Sequence, residues 1–144
     1  MSTAHAATWA QRVPPTPSAA SNTWTWTIDR PAGLTAARTE LRRSLPAEAP
    51  ADDVDRLLLA FEELASNGLR HSGAPIRVQV HGCARGWLID VSDACPDSPP
   101  APAVDRDPAL GGLGLPLVAR LSAAVGWAAD GGRKHVWAAV LPAA

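Results

Sequence analysis

Thiol chemistry is scarce in this chain: Cys83 and Cys95 are its two cysteines, and they are not close-spaced. That excludes a disulfide framework and leaves two free thiols. The four histidines, His5, His71, His81 and His135, are scattered with no pair at zinc-ligand spacing, so a structural zinc site is not expected. An excess of charge of either sign is missing too. Thirteen basic residues against fourteen acidic ones give a formal net charge of −1, so nothing in the charge argues for a nucleic-acid surface or an anionic membrane. Lys134 is the single lysine, a bias we read as codon usage of a GC-rich genome rather than as chemistry. No apolar run is long enough to span a bilayer, and MSTAHAATWAQR lacks the basic-then-apolar layout of a secretory signal. A soluble cytoplasmic protein is expected. The Gly-Lys-Ser/Thr ending of a P-loop is absent, as is the nucleophile elbow that a Ser/His/Asp hydrolase would carry.

What is present suits one domain: 144 residues, 47% of them hydrophobic. Residues 1–22, rich in Ala, Ser, Thr and Pro, read as a flexible tail, and residues 23–144 as the domain. Trp24, Trp26 and Ile28 alternate with threonines as in a half-buried strand. Leu34, Ala37, Leu41 and Leu45 recur at helical spacing until Pro46. A second helix is expected from an N-cap at Asp52 or Asp53 to about Arg70, stopped by Ser72 and Gly73. Ile76, Val78 and Val80, then Trp87, Ile89 and Val91, flank HGCARG and read as a β-hairpin. The Pro-rich stretch at about 94–112 reads as a long lid loop, followed by glycines and an apolar helix, LPLVARLSAAV. Two strands about a turn at Asp130-Gly131-Gly132 close the chain. The order β-α-α-β-β-loop-α-β-β reads as an α/β two-layer sandwich.

The segment FEELASNGLRHSG places Glu63, Asn67 and His71 at four-residue steps, hence on one helix face. An Asn oxygen is a suitable hard ligand for Mg²⁺, and a carboxylate one turn away could accept a proton from an attacking hydroxyl. The same spacing also fits a solvated face carrying Glu62, Glu63, Asn67 and Arg70. Asn67 and Gly68 are poor helix formers inside a well-patterned helix, which favours a functional reading of the stripe.

Asp93 stands where a strand enters the long loop. Its carboxylate could accept from the exocyclic amine of adenine, or it could form an Asx-turn. Gly111, Gly112 and Gly114 could let backbone N–H groups approach a phosphate at a helix N-terminus, or serve as a loop hinge. Arg70, His71 and Lys134 could each touch phosphate, His71 alternatively capping its helix.

Taken in order, these pieces are more specific than any one of them. Glu63-Leu64-Ala65-Ser66-Asn67 followed by His71-Ser72, a hairpin ending in Asp93, a long lid, and Gly112-Leu113-Gly114-Leu115 opening a helix resemble the GHKL (Bergerat-fold) ATPase superfamily. Within it, the short layout is similar to anti-sigma-factor serine kinases. The resemblance implies a mixed, mostly antiparallel sheet of about five strands with three helices packed on one face. It also implies ATP and Mg²⁺ as cofactors. Glu63 would be general base, Asn67 magnesium ligand and Asp93 adenine reader, with Gly112, Leu113, Gly114, Leu115, Arg70 and His71 near the nucleotide. The implied reaction moves the γ-phosphoryl of ATP to a serine of a small antagonist protein. A sigma factor or its antagonist is the implied partner, possible homodimerisation is implied too, and neither nucleic acid nor membrane is. The chain departs from the family after Asp93, where Ala94, Cys95, Pro96 and Asp97 replace the usual glycines. A non-catalytic module of the same fold, acting by sequestering a partner, is the alternative.

Overall fold

The computed structural model describes residues 9–16, 22–72, 75–83, 86–95 and 114–140. These form, in order, β1 (Asn22–Ile28), α1 (Pro31–Ser44), α2 (Ala51–Ser72), β2 (Ile76–Cys83), β3 (Gly86–Asp93), α3 (Gly114–Leu121), β4 (Ala124–Asp130) and β5 (Arg133–Val140). The sheet order is β1-β2-β3-β5-β4, and all four neighbouring pairs are antiparallel. Its parallel component lies outside the named strands, at a bridge between Gln11 and Trp127.

Alternation along the strands decides which side is buried. Ile28, Ile76, Val78, Val80, Ile89, Val91, Val136, Ala138 and Val140 point into one core with Leu34, Ala37 and Leu41 of α1, Leu57, Leu58, Phe61, Leu64 and Ala65 of α2, and Leu115 and Val118 of α3. The result is a two-layer α/β sandwich. Trp26 ties three elements together: its ring meets Phe61 edge-on at 5.4 Å between centroids, and its Nε1–H donates to Glu40 Oε1 at 3.0 Å.

Local chemistry sets the element ends. Pro31 starts α1 at a position where a missing N–H costs nothing. Gly131 and Gly132, with φ of +58° and +80°, make the tight β4–β5 turn that L-residues resist. The start of α2 corrects the sequence reading. The Pro50 carbonyl accepts from the N–H groups of Asp53 and Val54, so neither Asp52 nor Asp53 is the N-cap. Asp53 lies buried in the first turn and takes Arg56 Nη2 at 2.7 Å.

The expected tail over 1–22 also needs correction within its described part. Trp9 is 5% exposed, Ala10 and Arg12 exchange backbone hydrogen bonds with Trp127, and Arg12 lies over the Trp137 ring. Residues 9–12 thus extend the sheet beyond β4, covering an edge that would otherwise be open. Composition concealed this because one tryptophan, not periodicity, anchors the segment.

Candidate functional site

Helix α2 carries the expected polar stripe along its edge while its apolar residues face the sheet. Gly68 explains how the helix lies so close. A Cβ there would stand 3.1 Å from Val91 Cγ1 and 3.3 Å from Ile76 Cγ2, tighter than ordinary contact. The glycine inside this helix is therefore a packing requirement of α2 on β2 and β3, not a mark of the polar stripe. Near the helix end, Cys95 Sγ–H reaches the Ser72 carbonyl at 3.8 Å. Gly68 over Val91 and Ser72 beside Cys95 bracket Asp93, so the C-terminal turns of α2 run past the end of β3.

Glu63 sits one turn before Asn67, where α2 meets α3. Its carboxylate occupies the space that a Cβ on residue 114 would need, so Gly114 lets α3 begin directly against it. Burial raises the Glu63 pKa from its ordinary value of 4.5, the neighbouring Glu62 charge adds to that, and Arg70 opposes it. A carboxylate with a raised pKa is a better proton acceptor than an ordinary one.

Asn67 is 5% exposed, and its Oδ1 is buried with no hydrogen-bond partner among the described residues. Such an orphan oxygen costs free energy unless something ligates it. A hard cation fits that requirement. Among the described residues no group of three or more His, Cys, Asp or Glu side chains could hold a metal on its own. Mg²⁺ is commonly held by one or two protein ligands, water and substrate phosphates.

Asp93 ends β3 at 2% exposure, and both its oxygens are engaged. Oδ1 accepts the Cys95 backbone N–H at 2.7 Å, so the Asx-turn read as an alternative is present. Oδ2 faces Lys134 Nζ at 3.6 Å. Asp93 and Lys134 are register partners across β3 and β5, which fixes them side by side on the helix-facing side. Lys134, read from the sequence as a possible phosphate contact, is 3% exposed and stands beside the Asp93 carboxylate. Its importance was hidden because the pairing depends on strand register across 41 residues.

The remaining expectations divide. Arg70 and His71 are exposed in the last turn of α2, and Arg70 acts electrostatically on Glu63. Leu115 buries its side chain in the core, and its carbonyl accepts the Trp9 Nε1–H at 3.3 Å. Gly112, Leu113 and nearly all of the expected lid, from residue 96 onward, lie outside the described residues.

With this arrangement in view, the comparison with protein families is direct. The family model "Histidine kinase-like ATPase domain" matches residues 28–140. The chain belongs to that family, whose fold is that of an ATP-binding domain. A search of curated proteins found no match. Among the described residues no helix is long and apolar enough to cross a membrane.

Proposed function

We propose that this protein is an ATP-dependent regulator that transfers the γ-phosphoryl group to a serine of a small antagonist protein, as an anti-sigma-factor kinase does. The observation that carries the reading is the pairing of Glu63, raised in pKa, with an Asn67 Oδ1 one turn away that has no hydrogen-bond partner among the described residues. In-line phosphoryl transfer asks chiefly for positioning and charge neutralisation. Asn67 would hold Mg²⁺, which supplies neutralisation of phosphate charge when bound. Glu63 would orient the acceptor serine and take its proton as the Oγ–P bond forms and the bond to the β-phosphate oxygen breaks. Gly114 lets the start of α3 pack directly against the Glu63 carboxylate.

Incubation with γ-labelled ATP and antagonist-type proteins tests this. Label should appear on serine with the wild type and disappear with Glu63→Gln, while ATP binding persists. Undiminished transfer by Glu63→Gln would remove Glu63 from the reaction.

A second reading has its own support. Asp93 is already engaged by Cys95 and Lys134 and lacks the following glycines. In that reading the domain acts by protein–protein contact alone. ATP bound without any transfer, together with stable capture of a sigma factor or antagonist, favours it.

A further inference from the structure

The face of the sheet turned away from the helices carries a cavity of its own. Side chains alternate along a strand, so where Val91, Val136 and Ala138 face the helices, Asp90, His135 and Trp137 face the other way. Val13, Pro14, Asp90, Ala128, Asp130 and His135 are among the residues that line a cavity of about 350 Å³ there. We propose that this cavity receives an arginine side chain of a partner protein. The inference is independent of the nucleotide-binding reading, since Glu63 and Asn67 belong to α2, across the sheet.

One wall comes from the N-terminal segment and is held in place. The Trp137 Nε1–H donates to the Arg12 carbonyl at 2.9 Å, and the Arg12 guanidinium stands 5.4 Å from the Trp137 ring centre. Gly126 makes room for this, because a Cβ there would collide with Arg12 Cγ and the Trp137 ring. Val13 and Pro14 follow directly, and with Ala128 they give the cavity an apolar side. Val13 is 80% exposed, a surface onto which an aliphatic stem can pack while its charged head reaches the polar end.

That end offers acceptors. His135 Nδ1–H donates to both Asp90 oxygens at 3.0 Å, which leaves Nε2 as the open ring nitrogen, an acceptor when the imidazole is neutral. The charges that act on His135 are Asp90 on β3, Asp130 at the end of β4 and Arg133 on its own strand. Arg133 is directed to the Ser92 hydroxyl and carbonyl, and Arg12 stands over Trp137. Two carboxylates against one guanidinium leave the site one positive charge short while His135 is neutral. A second guanidinium supplies that charge, and its planar fork of donors matches carboxylate oxygens and a ring nitrogen together. Protonation of His135 supplies the same charge, so a proton and an arginine compete for the site. The Asp90 hydrogen bond raises the His135 pKa above 6.5 despite partial burial, and arginine binding should strengthen as pH rises through that raised value.

NMR titration of the full chain, read on the His135 ring, tests the proposal with a blocked glycine-arginine-glycine peptide, its citrulline analogue and free agmatine. Above the His135 pKa the arginine peptide should bind with a Kd of about 1 mM or tighter, and the citrulline analogue should not. Asp90→Asn should weaken binding by about tenfold and Asp130→Asn by about threefold. Asp29→Asn, which alters an exposed carboxylate just beyond the opposite edge strand, should change nothing. Saturating peptide should lower the His135 pKa, the reciprocal of proton competition. Absence of arginine binding, equal binding of the citrulline analogue, or indifference to Asp130→Asn overturns the inference. Agmatine bound without the arginine peptide overturns it too, in favour of a small free cation. Asp130 is exposed, so Asp130→Asn decides the matter should Asp90→Asn fail to fold.

Discussion

The carboxylate of Glu63 lies where a side chain on residue 114 would have to go. Two segments far apart in sequence therefore meet through a glycine, and the Glu63 edge of α2 packs on the backbone that starts α3. Asp93 and Lys134 pair across β3 and β5 on the side of the sheet that the helices cover.

The first prediction concerns that contact. Gly114→Ala must push Glu63 aside or shift the start of α3. We expect phosphoryl transfer to fall by on the order of 10²-fold from misplacement of the reacting groups. Overpacking should cost about 1–3 kcal/mol of stability. Transfer assays and denaturant unfolding read these separately, and normal activity in the Gly114→Ala variant would show that Glu63 is not confined there.

A second prediction follows from the proton on Glu63. Because burial raises its pKa in the folded chain, the folded state binds more protons than the unfolded one above pH 4.5. Stability from this group is therefore lost as pH rises from the unfolded value through the folded one. Glu63→Gln should raise the Tm above that window and gain little below it. Equal Tm values across the pH range would contradict the burial effect.

His135 behaves in the opposite charge sense. Its Nδ1–H donates to both Asp90 oxygens at 3.0 Å, and that hydrogen bond raises its pKa above the ordinary 6.5 despite partial burial. The stabilisation is complete below the unfolded pKa and is lost as pH rises through the higher folded value. Asp90→Asn should flatten the pH dependence of Tm above pH 6.5 relative to wild type.

The N-terminal segment yields a fourth expectation. Trp9 is buried and bonds the first turn of α3 through the Leu115 carbonyl. Trp9→Ala should cost about 3–5 kcal/mol in chemical denaturation. It should also weaken nucleotide binding by loosening the start of α3. An unchanged midpoint would show that the segment adds nothing to the fold.

How much of this was legible in the sequence varies with the range of the signal. Strand alternation at Trp24–Ile28 and helical spacing through Leu57–Ala65 are local, and they gave the element order and the buried faces. The Glu63–Asn67 spacing was readable for the same reason, since one helical turn fixes it. Gly68 was misread because its reason lies on β2 and β3, not in its own helix. The Asp93–Lys134 pair and the Trp9 anchor were illegible because each needs a long-range pairing that no local pattern encodes. The place of α2's first turn turned on a proline carbonyl rather than on the aspartates that usually cap.

The most direct measurement is the thermal stability of wild type and Asn67→Ala with ATP, each with and without Mg²⁺. If the orphan Asn67 oxygen ligates the cation, ATP with Mg²⁺ should raise the wild-type Tm well beyond ATP alone, and Asn67→Ala should lose that magnesium-dependent part. An undiminished magnesium-dependent shift in Asn67→Ala, or no shift in the wild type at millimolar ATP, would contradict the account.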